Sequence, residues 1–205
     1  MRKVNWKFLA VAVAVLGVAG GGLFYTIPST DAAAAIPPPG TLNPCSGFKE
    51  HPVESHIGPD FFSHTDGGIL VEVGQHFRTT DGRRGANLIV RDLKSSGVVD
   101  GVGLVEIGFD ASRAGRSTIV ANQVGTDYPA TQTMRFFPTV TVEGRQYRAL
   151  NAAHLTNSAV TSTPPPVGTT YALTNQVELE SVDNPGTVAM VIQPSRAFTV
   201  TGHRF

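Results

Sequence analysis

The sequence predicts an all-β protein: a single antiparallel β-sandwich, or a barrel-like relative of one, behind an N-terminal export segment and an irregular arm. Short stretches alternate between apolar and polar residues and recur about every 10 to 15 residues, with turn residues between them. No stretch has a convincing helical period, and 22 glycines and 14 prolines favour turns over long helices. Such spacing indicates antiparallel sheets rather than parallel β-α-β units.

The first 35 residues predict a secretion signal or a membrane anchor. Three basic residues among the first seven precede an uncharged run from Phe8 to Ile27. The small residues Ala32 to Ala35 then offer cleavage positions, and Gly20 to Gly22 interrupt the run, which favours cleavage near Ala35 over retention as an anchor. Both outcomes place the rest of the chain outside the cytoplasm, in the periplasm, at the cell surface or in the medium.

Residues 36–66 predict a proline-rich linker followed by an irregular arm. The segment opens with Pro37 to Pro39, which favours extended linker structure, and no clean period follows. It contains Cys45, the only cysteine, so no disulfide can form within the chain. A lone cysteine in an exported protein indicates a free thiol or a bond to a second chain.

Residues 67–205 predict the β-sandwich domain. The period of two is clearest from Met134 to Val142, and Glu143-Gly144 after it indicates a hairpin turn. The apolar faces of the predicted strands comprise Val71, Val73 and Phe77; Val105, Ile107 and Phe109; Met134, Phe136, Val140 and Val142; Val177 and Leu179; and Phe198 and Val200.

The charge pattern excludes a nucleic-acid partner. The leader holds three of the 16 basic residues and one of the 16 acidic residues, which leaves 13 and 15 in residues 36–205. Arg83-Arg84 is the only basic doublet in that part, whereas nucleic-acid binding requires a basic patch.

The best candidate for chemistry is a metal site in the arm. His51, His56, His64 and Asp66 lie within 16 residues, and imidazole and carboxylate groups are ligands for zinc and related transition metals. The spacing matches no HExxH, HxH or CxxC signature. A polar, solvated segment is the competing interpretation.

No catalytic motif occurs elsewhere. The chain lacks the Gly-x-Ser-x-Gly of serine hydrolases and the acidic loop of EF-hands. We therefore expect a non-enzymatic exported domain without a cofactor, acting in binding, adhesion or envelope structure. Its expected partner is a protein or envelope component, or a second copy joined through sheet edges or Cys45. The alternative is a secreted metal-dependent enzyme that uses the segment from His51 to Asp66.

Overall fold

The computed structural model describes residues 34–113 and 115–205, and within them Ala34–Phe205 belong to one compact unit. The predicted signal or anchor lies outside the described residues, apart from Ala34 and Ala35. No helix occurs in the described part of the chain, so none there is long and apolar enough to cross a membrane. The described residues form thirteen strands: β1 (Leu42–Ser55), β2 (Phe61–Arg78), β3 (Arg84–Val99), β4 (Gly103–Phe109), β5 (Ser117–Ala121), β6 (Ala130–Phe136), β7 (Pro138–Val142), β8 (Arg145–Ala149), β9 (Ala153–Val160), β10 (Thr170–Leu173), β11 (Val177–Ser181), β12 (Val188–Ile192) and β13 (Ser195–Gly202).

All strand pairs are antiparallel, and the sheet closes on itself. β1, β2 and β3 are long and continuous, whereas the other strands follow one another as interrupted pairs: β4 with β5, β6 with β7, β8 with β9, β10 with β11 and β12 with β13. Each pair runs beside the next, and the last pair returns to β1, with Val53 opposite Ile192 and Gly47 opposite Val200. The result is an eight-stranded up-and-down barrel, which confirms the all-β prediction in its barrel-like form.

The prediction of an irregular arm is wrong, because residues 42–55 form β1 and residues 61–66 form the first part of β2. These strands pair in register from Leu42 opposite Glu72 to Val53 opposite Phe61. Alternate residues of β1 point inward, but several of the inward side chains are polar. An apolar alternation is therefore missing from the sequence, although the burial alternates as in any barrel strand.

The interruptions fall at the middle of the barrel. The gap is seven residues between β4 and β5, whereas it is one residue, Phe137, between β6 and β7. Side chains from both sides of the interruptions, such as Phe136 and Pro138 or Leu173 and Val177, line a common interior cavity. The middle of the barrel is therefore where the packing is least continuous.

Candidate functional site

Polar side chains collect in the interior on the three continuous strands. Lys49 and His51 of β1, Ser63 and Thr65 of β2, and Ser95 of β3 are all buried. In the β1–β2 register Lys49 lies opposite Thr65, and His51 lies opposite Ser63. Since buried polar groups are costly unless they are paired, such a cluster in an otherwise apolar barrel is a candidate site.

Lys49 is the most unusual member of this cluster. Its side chain is almost fully enclosed, with 3% of the residue exposed, and its Nζ has no hydrogen-bond partner. Burial lowers the pKa of Lys49 to about 8, against a smaller opposing effect of the Asp66 carboxylate. Nζ lies 5.4 Å from the centre of the Phe198 ring, a weak cation–π contact. The amine is thus largely desolvated and uncompensated.

His51 is held in one tautomer by its neighbour Ser195. The Ser195 hydroxyl donates to the Glu50 carbonyl oxygen at 3.0 Å, so its oxygen accepts from Nδ1 of His51 at 3.2 Å. A neutral ring that donates from Nδ1 carries its lone pair on Nε2. Burial, together with the charge of Lys49, lowers the pKa of His51 to about 4, so the ring is neutral at pH 7.

Ser63 supplies a second unpartnered group. Its hydroxyl is buried and has no hydrogen-bond partner. The hydroxyl of Thr65, two residues further along the same strand, accepts a hydrogen bond from Ser95. Ser63 and His51 both line a small cavity of about 10 Å³. In the described part of the chain, the Lys49 amine and the Ser63 hydroxyl are the two enclosed side-chain groups without a partner.

The central cavity lies against Lys49 and His51. Its volume is about 30 Å³, which is room for one or two water molecules. Apart from Lys49 and His51 its lining is apolar: Leu93, Ile107, Phe136, Pro138, Ala153, Leu155, Leu173, Val177, Ile192 and Ala197. The chemistry available here is that of an amine and an imidazole in an apolar, water-poor space.

A groove of about 280 Å³ lies on the barrel wall near the gap between β4 and β5. Its lining includes three arginines, Arg91, Arg113 and Arg135, and no carboxylate. Arg91 is paired with Glu72, and Arg113 donates to the Ala149 carbonyl, so two of the three are already engaged. Arg135 is exposed and has no ion pair within the described residues. Phe136 lines both this groove and the central cavity.

The structure does not bring the predicted metal ligands together. His51 faces the interior, whereas His56, His64 and Asp66 are exposed. His64 Nδ1 lies 3.2 Å from a carboxylate oxygen of Glu50, and its ring stacks on a neighbouring phenylalanine. His56 Nδ1 lies 3.2 Å from the Val188 carbonyl oxygen. No group of three histidine, cysteine, aspartate or glutamate side chains suited to a metal occurs within residues 34–113 and 115–205.

Cys45 lies on the interior face of β1 rather than at an exposed tether point. The residue is 5% exposed, and burial raises the pKa of its thiol to about 11. The thiol therefore stays protonated and enclosed, which disfavours reaction with a second chain. Closure of the barrel likewise pairs the sheet edges that the sequence offered for self-association.

Comparison with known proteins identifies the fold and no family. No family model matches the chain, and no curated protein matches it. A solved structure, that of DynF from the dynemicin biosynthesis pathway of Micromonospora chersina, superposes with a TM-score of 0.70 at 13% sequence identity. The match covers 86% of this chain and 92% of DynF. The chain shares its fold with DynF.

This likeness contradicts the prediction of a non-enzymatic role in binding, adhesion or envelope structure. That prediction rested on an all-β pattern and on the absence of catalytic motifs. DynF has the same fold and comes from a biosynthetic pathway, so neither observation indicates a non-enzymatic protein. Function has to be argued from the site.

Sequence reasoning missed Lys49 altogether. The available signal was the row of alternate residues Cys45, Gly47, Lys49, His51 and Val53, which become inward positions once residues 42–55 are taken as a strand. A lysine in such a row argues against a buried face, because lysine is almost never fully enclosed. The same rarity makes Lys49 informative once its burial is known.

Proposed function

We propose that the barrel interior is an active site in which Lys49 acts as a nucleophile on the carbonyl group of a small, mainly apolar substrate. The observation that carries the proposal is the enclosed Lys49 amine, which has no hydrogen-bond partner and a pKa lowered to about 8. Enzymes that form Schiff bases activate lysine by this kind of desolvation. The likeness to DynF supports a role in small-molecule conversion, since that protein comes from a biosynthetic pathway.

The lowered pKa matters because only a neutral amine attacks a carbonyl carbon. With a pKa of about 8 instead of 10.5, the neutral fraction at pH 7 is about 300 times larger than for an ordinary lysine. The apolar cavity also keeps water away from the carbon–nitrogen bond that forms. An exposed lysine has neither advantage.

The proposed reaction regenerates the free amine of Lys49 at its end. The Nζ lone pair forms a bond to the carbonyl carbon, and the carbonyl electron pair moves to oxygen. This oxygen takes one proton from Nζ and one from solvent and leaves as water, which gives a protonated imine. That cation draws electrons from the neighbouring carbon and makes its proton acidic. Loss of this proton gives an enamine, and return of a proton to the other face of the same carbon gives the imine of the isomerised substrate. Hydrolysis of that imine releases the product, a proton and the free amine.

His51 and Ser63 are suited to the proton transfers. His51 carries its lone pair on Nε2, since Nδ1 donates to Ser195, and this nitrogen accepts the proton from the activated carbon. The unpartnered Ser63 hydroxyl is free to donate to the oxygen that leaves as water. Both residues lie on the strands that carry Lys49 and Thr65, at the next interior positions along the barrel.

The groove on the barrel wall indicates that the substrate carries an acidic group. Arg135 has no ion pair within the described residues and is available to a carboxylate, while Phe136 beside it lines the central cavity. A short oxo acid bound here has its acid group at Arg135 and its carbonyl toward Lys49. The central cavity of about 30 Å³ is too small for such a molecule, so binding requires the Phe136 side chain to move.

The place of action that we propose is outside the cytoplasm. It rests on the basic start, the uncharged run from Phe8 to Ile27 and the small residues that follow it. An enclosed site with a protonated, unreactive Cys45 thiol is compatible with an oxidising compartment.

Reductive trapping tests the proposal with a control built into the chain. Lys49 and Lys94 are the only lysines after residue 35, and Lys94 is exposed and paired with Asp92. The protein is incubated at pH 7.5 with hexanal or 6-oxohexanoate and borohydride, and the modified residue is located by peptide mass spectrometry. We expect the adduct on Lys49, at least tenfold over Lys94. Equal labelling, or labelling of Lys94 alone, overturns the proposal.

Two matched pairs of variants distinguish the role of the nucleophile from the role of the residue that binds the acid group. Lys49→Met abolishes the adduct while Lys94→Met leaves it unchanged. Arg135→Gln lowers trapping of 6-oxohexanoate several-fold but not of hexanal, whereas Arg145→Gln, on the exposed start of β8, changes neither. If Arg135→Gln affects both probes equally, the acid-recognition step is wrong and the Lys49 step stands.

A further inference from the structure

The backbone nitrogen of Ile36 donates a hydrogen bond to a carboxylate far away in sequence. It lies 3.0 Å from Oδ2 of Asp127. Ile36 is 7% exposed and belongs to the hydrophobic core, whereas Ala34 and Ala35 immediately before it are exposed. Ile36 is therefore the first residue of the described chain that is buried in the protein.

Asp127 is itself well enclosed. Its side chain is 10% exposed, and its other oxygen accepts from Nη1 of Arg84 at 3.2 Å. Both oxygens thus have one donor each, and the donor from Ile36 is a neutral peptide N–H. A carboxylate in this position is a stronger acceptor for an ammonium group than for an amide, because charge-assisted hydrogen bonds are roughly twice as strong as neutral ones.

We propose that the chain is cut between Ala35 and Ile36 and that the new amino group of Ile36 forms an ion pair with Asp127. Cleavage here converts the peptide N–H into an α-ammonium group on the same nitrogen, already 3.0 Å from the carboxylate. Three observations support this proposal: the small residues before the bond, the change from exposed to buried at Ile36, and the Asp127 carboxylate that accepts a hydrogen bond from the Ile36 nitrogen. Processing thereby fixes the first residue of the mature protein to the barrel.

The surroundings of the pair suit a terminal ammonium group. An open pocket of about 430 Å³ is lined by Ile36, His76, Arg78, Arg84 and Asp127. His76 Nε2 also lies 2.8 Å from the Pro37 carbonyl oxygen, which holds the next residue in place. The pocket gives the two remaining N–H groups of the ammonium access to water, so none of them is left buried without a partner.

The first test is the amino terminus of the native product. The full 205-residue chain is expressed in a host that exports it, and the product is sequenced from its amino terminus. We expect a start at Ile36. A start at any other residue, including an intact Met1, overturns the proposal.

The second test separates the ion pair from an ordinary hydrogen bond. Asp127→Asn is made in the processed protein and in a chain carrying Ala35→Gln, which is cut elsewhere or left uncut and so never has its amino group on Ile36. We expect Asp127→Asn to lower Tm by at least about 3 °C more in the processed protein. Equal losses in the two backgrounds overturn the proposal. Arg84→Gln, which removes the other partner of Asp127, serves as control and gives similar losses in both.

The pH dependence of the Tm difference distinguishes an ion pair from an ordinary hydrogen bond, because only the ion pair depends on the charge of the amino group. An α-amino group has an ordinary pKa of about 8, and pairing with a carboxylate raises it in the folded state. Its contribution is complete below pH 8 and is lost as the pH rises through the raised value. The extra Tm loss from Asp127→Asn therefore shrinks between pH 7 and pH 10. Arg78, Arg84 and His76 face the same pocket in both backgrounds, so their contributions cancel in the difference between the two. An extra loss that is constant with pH contradicts the ion pair.

Discussion

Lys49 lies two positions before His51 on the interior face of β1, and its charge opposes the protonation of the His51 ring. Burial is the main cause of the lowered pKa of His51, and the charge of Lys49 is the second. The consequence is a pair in which the imidazole is neutral and the amine titrates near physiological pH. Such separated values are characteristic of acid–base pairs in active sites.

His51 makes the protein sensitive to acid well above the range of ordinary carboxylates. The pKa of His51 is about 4 in the folded protein and 6.5 when unfolded, so its contribution is complete above pH 6.5 and is lost as the pH falls through 4. We expect the linked protonation of His51 to lower the free energy of unfolding by about 2.5 kcal/mol between pH 7 and pH 4.5. Urea denaturation of the wild type and of His51→Gln measures it. The variant loses less than the wild type over this interval, whereas the exposed His76→Gln behaves as the wild type; equal slopes for all three contradict the prediction.

Lys49 has an effect of the same sign at alkaline pH. Its pKa is about 8 when folded and 10.5 when unfolded, so the unfolded chain binds more protons between these values and stability rises with pH. We expect Lys49→Met to be more stable than the wild type at pH 7, because it removes a buried ammonium group. That advantage shrinks by about 2.5 kcal/mol by pH 10.

Lys94→Met is the control for this change, since Lys94 is exposed. Denaturation at pH 7 and pH 10 gives the free energies of unfolding for all three proteins. A Lys49→Met advantage that is absent at pH 7, or that does not change with pH, shows that the amine is solvated rather than enclosed. The loss of trapping with a gain in stability is the pattern expected of a catalytic group.

Strands whose inward residues are apolar could be predicted from the sequence, whereas the site could not. From Met134 to Val142 the inward residues are apolar and the outward ones, apart from Phe137, are polar, so the period is visible. In β1 the inward positions include Lys49 and His51, which hides the strand from any pattern based on hydrophobicity. The sequence predicts His51 as a metal ligand, because the residues near it along the chain include carboxylates and histidines. The side chains of these residues are not its neighbours in the folded barrel.

Closure of the barrel could not be predicted from local sequence patterns, for a different reason. The pair that closes it joins Val53 to Ile192, and no turn or spacing signal connects residues so far apart. The interruptions within five of the eight barrel strands also produce short alternating stretches, which resemble the strands of a sandwich. The sequence therefore predicted the class and not the way the sheet closes.

Tyr171 and Gln132 form a buried hydrogen bond that we expect to stabilise the barrel. The Tyr171 hydroxyl donates to Oε1 of Gln132 at 2.9 Å, and burial raises the pKa of the phenol. Tyr171→Phe leaves the Gln132 oxygen enclosed without this donor, at a cost of about 1–3 kcal/mol in the free energy of unfolding. Tyr147→Phe is the control, because Tyr147 is also buried but its hydroxyl has no side-chain partner among the described residues. Similar losses for the two variants contradict an effect specific to the hydrogen bond.

Gly67 lets β2 and β3 approach each other beside the site. A Cβ atom on Gly67 would overlap the Lys94 carbonyl oxygen and the backbone of Ser95, so the strands would have to separate. We expect Gly67→Ala to lower the free energy of unfolding by about 2–3 kcal/mol, as overpacking does. Gly58→Ala is the control, since its nearest neighbour, the Ser55 hydroxyl, is 3.7 Å away, and it stays within about 0.5 kcal/mol of the wild type. Because Thr65 opposite Lys49 lies two residues from Gly67, the same separation loosens the wall around the amine and slows reductive trapping at Lys49. Unchanged stability together with unchanged trapping contradicts the close approach.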